Sequence, residues 1–265
     1  MRWLIHSYCA YFRMVLAMWL QYRVAMLIWA VWDFVGPMVS LAVWVAAAHG
    51  GKIGDYDRGS FAAYFLTMTI ITHITMSWDA EEFSWRIRSG TLSPQLLRPI
   101  HPIHEAIAWN MGYKLFTLAV LVPIWAALFW LLHPAFQSDW RHLALAVPAT
   151  LVGGSLRFIW NYSLAIIAFW TTRNQAINQL YWTVDNFLAG KIAPIALLPG
   201  ALQGMASLSP FRSMTAFPVE LALGKVPPQA ILPGFLAQIF WIAVGYVLFR
   251  ILWSQGVKQY SAVGA

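Results

Sequence analysis

Residues 81–105 read EEFSWRIRSGTLSPQLLRPIHPIHE. Arg86, Arg88 and Arg98 stand there with Glu81, Glu82 and Glu105, and Gly90, Pro99 and Pro102 punctuate the backbone. The flanking runs are apolar, from about Phe61 to Trp78 before the stretch and from about Ile107 to Leu132 after it. A helix crosses the hydrocarbon core of a bilayer with roughly 20 apolar residues. Each flanking run is therefore expected to span a membrane, with the quoted stretch as the polar connection between them. Between Gly90 and Pro99, residues Leu92 to Arg98 are predicted to form about two helical turns with Leu92, Leu96 and Leu97 toward one side. A short amphipathic helix held between two spans is placed to transmit a push from another protein. A loop resting on lipid headgroups is the plainer reading of the same residues.

Composition extends the membrane reading to the whole chain. Hydrophobic residues make up 60% and charged residues 10%, where a soluble domain carries about 25% charged residues; an ordinary soluble enzyme is excluded. The 265 residues hold roughly five to seven spans, with little left for a soluble domain. The net charge of +7 comes from cations spread singly at the ends of apolar runs, which is a topological pattern and not a nucleic-acid patch. Cys9 is the one cysteine, so no intrachain disulfide or thiolate metal site is expected, and it reads as a small buried residue.

In chain order, Arg2, His6 and Arg13 fall on one side of an N-terminal helix over residues 1–23, which reads as an interfacial helix that stays on the mature chain. The first span is expected over Val24 to Ala48, bent at Gly36-Pro37. Four more spans follow, at about Phe61 to Trp78, Ile107 to Leu132, Leu143 to Trp170, and Ala176 to Lys191. Gly190, Pro194, Pro199 and Gly200 then break helix geometry repeatedly, so residues 192–229 are expected to be a connection with short helices at the membrane surface. The sixth span is about Ala230 to Trp253. Both termini fall on one side together with Arg2, Arg13, Arg23, Arg86, Arg88, Arg98, Arg173, Arg250 and Lys258; by the excess of Lys and Arg this side is cytoplasmic.

Little in the chain carries chemistry of its own. Gly-Lys pairs at 51–52, 190–191 and 224–225 lack the hydroxyl residue and the earlier glycine of a phosphate loop, so ATP hydrolysis is not expected here. His101 and His104 flank Pro102 with no third ligand close in sequence, and no metal site is expected. Asp33, Lys114, Arg157 and Asp185 are the ionisable residues placed inside the membrane, where such groups are costly and usually paired or functional. Counting depth at 1.5 Å per residue pairs Asp33 with Lys114 and Asp185 with Arg157, chiefly as devices of helix registration.

The residues Ile87-Arg88-Ser89-Gly90-Thr91-Leu92-Ser93-Pro94 and Leu96-Leu97-Arg98-Pro99 resemble the loop after the second span in membrane subunits of bacterial ATP-binding cassette (ABC) exporters of the type 2 class, in the branch of uncharacterised permeases. Gly190-Lys191-Ile192-Ala193-Pro194, Leu198-Pro199-Gly200, Ser209-Pro210-Phe211, Phe217-Pro218 and Leu223-Gly224-Lys225 extend the likeness. The resemblance implies an all-α integral membrane protein forming one permease domain, residues 1–265. It would have six transmembrane helices, an N-terminal elbow helix (1–23), a cytoplasmic coupling helix in 81–105, and an external re-entrant or surface element between spans five and six (192–229).

It further implies a non-catalytic exporter subunit in the bacterial inner membrane with cytoplasmic termini. A second permease, related or identical, would complete the pathway, and separate ATPase subunits would bind ATP and Mg. The coupling contact would fall on Arg88, Leu92, Leu96, Leu97 and Arg98; no substrate residue is carried over. Two other functions stay open: an integral-membrane enzyme acting on lipid, near Arg212 and Glu220, and a stand-alone ion-coupled carrier using Asp33, Arg157 and Asp185.

Overall fold

The computed structural model describes residues 2–171 and 174–260, without the side chains at 2–4, 26, 27, 30 and 33. Arg173 and the side chains of Arg2 and Asp33 therefore lie outside the described residues. Among the described residues eleven α-helices follow one another: α1 (Arg2–Gln21), α2 (Arg23–Ala47), α3 (Arg58–Thr75), α4 (Asp79–Arg88), α5 (Ser93–Leu96), α6 (Ile103–Leu132), α7 (Trp140–Ile166), α8 (Gln175–Leu188), α9 (Gly200–Ser207), α10 (Phe217–Ala222) and α11 (Pro228–Gln259). The described residues contain no strand.

Among the described residues, four stretches are long and apolar enough to cross a membrane: Arg58–Arg88, Ile103–Leu132, Trp140–Phe169 and Pro228–Gln259. α2 has 25 residues and contains Pro37. The fifth expected span is shorter than the apolar run suggested: α8 has 14 residues, about 21 Å at helical rise against a hydrocarbon core of about 30 Å. It stops because Gly190 turns the chain at φ 75°, and Tyr64 Oη fixes the turn by donating to Gly190 O at 2.8 Å.

α3 is the central helix. Its window is 72% buried, against 17% for α6 and α11, and Phe61, Tyr64, Phe65 and Met68 lie fully inside. α7 and α11 form the largest helix pair, with α2 and α6 against α3 and α1 along α6. In a bilayer such contacts are held by close packing and hydrogen bonds, lipid being as apolar as leucine. α1 docks through Val15 and Trp19 onto Tyr113, Trp109 and Phe116. Cys9, expected to be buried, is exposed on α1.

The 192–229 connection departs most from expectation. Residues Arg212–Ala216 form a π-helical turn continuous with α10. Met214, Thr215, Ala216, Val219 and Leu221 are fully buried, packed against α3 and α7, so this part folds into the bundle instead of lying on a surface. Gly153 of α7 permits the approach, since a Cβ there would sit 2.6 Å from Met214 O. Gln238 of α11 closes the bulge by donating from Nε2 to Ala149 O and to Ser213 O, each at 2.9 Å.

Between α3 and α4, residues Met76 to Trp78 are not helical. Asn110 of α6 donates to Met76 O at 3.2 Å. Asn161 of α7 accepts from Ala80 N at 3.1 Å, and Asn174, just before α8, donates to Ala80 O at 3.2 Å. Amide side chains supply what the interrupted ladder lacks, and this permits a helix break where water is excluded.

Candidate functional site

Charged side chains gather at two places, the 89–102 turn and the interior between α7, α8 and the π turn. The first begins where α4 stops. Gly90 adopts φ 71°, a left-handed conformation open to glycine at little cost. Leu92 N then donates back to Arg86 O at 3.2 Å, folding the turn under α4.

The expected two-turn helix is a single turn of four residues. Leu92 is fully buried in a cluster with Phe83, Ala106, Tyr162, Ile166 and Phe249, and Leu96 packs on the same cluster. Leu92 is thus a core residue of this chain, drawn inward with the turn that the hydrogen bond to α4 folds, while Leu96 is half-buried against the same core. Leu97 is 87% exposed; Arg98, next to it in sequence, and Arg88, at the end of α4, are exposed as well. Of the five residues expected at a coupling contact, Leu97, Arg98 and Arg88 are the exposed ones.

An ion network ties the turn to its two helices. Arg86 donates from Nε to Glu82 Oε1 at 3.1 Å and from Nη1 to Gln95 Oε1 at 3.3 Å, and lies 3.7 Å from Glu105 Oε1. Glu105 accepts from Gln95 Nε2 and from Arg98 Nη1, both at 3.2 Å. Arg86 and Glu105 are buried, so each charge keeps its cost low only while the other is present. Sequence reading counted these charges without assigning them this role; the equal numbers of Arg and Glu in so short a stretch were the available clue.

The first and last helices grip the same turn. Tyr8 Oη lies 2.8 Å from His104 Nδ1, and Ser93 Oγ shares a hydrogen bond of 2.7 Å with Tyr260 Oη. The His101 ring lies 4.2 Å from that of Trp253, centroid to centroid. Burial, reinforced by the charge of His104, pushes the His101 imidazole down to about 4.

The second place holds the charges read as intramembrane. Arg157 and Asp185 meet: Nη2 donates to Oδ1 at 2.8 Å, and also to Thr215 Oγ1 at 2.7 Å. Lys191 donates to Asp185 Oδ2 at 2.5 Å. Arg157 and Asp185 are 1% and 0% exposed. The carboxylate thus holds α7, the end of α8 and the π turn together with both oxygens engaged. Thr215 and Lys191 were not foreseen: Thr215 arrives through the inward fold of 212–222, and Lys191 through the turn at Gly190 that follows α8. Lys114 donates to Asn110 Oδ1 at 2.6 Å; the Asp33 half of its expected pair lies outside the described residues. No group of three or more His, Cys, Asp or Glu suited to a metal occurs among the described residues.

The model of a known protein family, described as ABC-2 family transporter protein, matches residues 34–264. No curated protein matches the chain.

Proposed function

Because the chain belongs to the ABC-2 family of transporter proteins, and is thus a membrane permease component of an ABC transporter, we propose that the 89–102 turn is its contact with the ATPase. In this reading Leu97 enters the partner's surface with Arg88 and Arg98 around it, and ATP with Mg is bound entirely by the ATPase. Movement of the turn passes through Arg86 and Glu105 into α4 and α6. The observation that carries the reading is the pairing of an 87% exposed leucine with a base stitched to two long helices, since large apolar side chains held rigidly at a surface serve as interface anchors.

The finer features go with this proposal. α1 is the elbow helix, and six crossings, with α8 as the short fifth, leave both termini in the cytoplasm of a bacterium. A second permease, identical or related, completes an export pathway across the inner membrane. The Arg157, Asp185 and Lys191 group acts as a structural clasp and not as an ion path, which is supported by both carboxylate oxygens being occupied.

The test is purification of the full chain with a co-expressed ABC ATPase that copurifies with it. Leu97→Asp should insert normally and lose ATPase association and stimulated ATP turnover. Unchanged association and turnover in that variant would remove the assignment.

A further inference from the structure

At the end of the bundle opposite the 89–102 turn, three separate segments enclose a cavity of about 1000 Å³. They are the α2–α3 turn, the α6–α7 loop and the 195–225 region. Ligand cavities in proteins run about 300–1,000 Å³, so this one has room for a whole polar headgroup or a small solute. α9 gives it space by turning Gly200 and Gly204 toward it, with no atom within 4 Å of where either Cβ would be.

Its charged lining is Lys52, Arg212 and Lys225 with Asp55 and Glu220. The arrangement is built, not incidental. Glu220 Oε2 accepts from Arg212 Nη2 at 2.7 Å, which directs the guanidinium while leaving its other donors. Lys225 Nζ stands 3.6 Å over the Tyr56 ring, and Lys225 N donates to Glu220 O at 2.8 Å. Tyr56 is itself buried in the α3 core, so this ammonium is anchored to the rigid centre of the fold. Burial raises the Glu220 carboxyl above its usual range, against the pull of Arg212 and Lys225.

We propose that this cavity binds a phosphate-bearing polar group, with Lys52 and Lys225 as point charges and Arg212 as the planar donor, the combination that phosphate oxygens engage. The group belongs either to a free solute or to an anionic lipid headgroup. The assignment stands on the cavity alone and does not depend on how the opposite end meets an ATPase.

Competitive labelling of the lysines tests it. The full chain in phosphatidylcholine nanodiscs is acylated with an amine-reactive reagent, and Lys52 and Lys225 are followed by peptide mass mapping against Lys258, at the other end of α11. If inorganic phosphate binds with Kd near ~1 mM, ~10 mM phosphate leaves about a tenth of the sites empty and slows acylation of Lys52 and Lys225 about tenfold, with Lys258 unchanged. Sodium chloride at equal ionic strength should not reproduce this.

Protection by phosphate in phosphatidylcholine identifies a solute site. Protection that appears only in phosphatidylglycerol nanodiscs, again sparing Lys258, identifies the headgroup. Absence of protection in both, or equal slowing of Lys258, overturns the proposal. Arg212→Gln, verified as monodisperse, should reduce the protection of Lys52 several-fold; full protection in that variant also counts against the site.

Discussion

Replacing Asp185 with Asn keeps the shape of the side chain and removes the single carboxylate that Arg157 and Lys191 share. The site is almost sealed, with Arg157 1% and Lys191 13% exposed, so two cations would face each other across a neutral amide. Removing one partner of a buried ion pair costs about 3–5 kcal/mol, because the charge left behind is not resolvated. At about 2–4 °C per kcal/mol for chains of this size, the apparent Tm in detergent should fall by roughly 6–20 °C. Tryptophan fluorescence on heating, with size-exclusion retention after a heat step, measures it. The triple variant Arg157→Met, Asp185→Leu and Lys191→Met should recover much of the loss, since apolar residues of similar volume replace buried ion groups at little cost. A shift of under about 2 °C for Asp185→Asn, which is under about 1 kcal/mol, would refute the claim that this carboxylate clasps the helices.

Three further outcomes are expected. Glu105→Gln leaves Arg86 buried beside a neutral amide, so the 89–102 turn should become sensitive to limited proteolysis, with a stability loss of about 1–3 kcal/mol. Gly153→Ala places a Cβ 2.6 Å from Met214 O, and the π turn must move; the expected loss of about 1–3 kcal/mol is read from thermal unfolding. For His101 the folded imidazole titrates near 4 against an ordinary 6.5. The folded state therefore binds fewer protons, and stability falls as pH drops from 6.5 toward 4. A Tm against pH curve for His101→Leu should be flatter in that window than the wild-type curve.

What could be read in advance follows from which forces are local. Apolar runs along the chain identify α3, α6, α7 and α11, because a span is a property of one segment. The Arg157–Asp185 meeting was also legible, since two opposite charges at equal depth have few other partners. The fate of Leu92 was not: an apolar side chain on a short turn is equally suited to its own core or to a partner's. Only the contact with Phe83 and Tyr162, far apart in sequence, decides between them. The inward fold of 212–222 was hidden for a similar reason. Its prolines and glycines announce breaks, while its destination depends on Gly153 and Gln238 on other helices.

The helix break at Met76 to Trp78 has a consequence for sequence change. Each residue of an α-helix turns its successor by about 100°. The three asparagines fix the peptide groups of Met76 and Ala80, and so set the rotational phase of everything from Asp79 onward. Substitutions in the joint leave that phase intact. Insertion or deletion of one residue would swing Arg86 a quarter-turn or more away from Glu105, and Phe83 out of its cluster. The joint therefore behaves as a key in a shaft: its length is constrained more strictly than its composition, and a one-residue change there should disconnect the turn from the bundle without touching either.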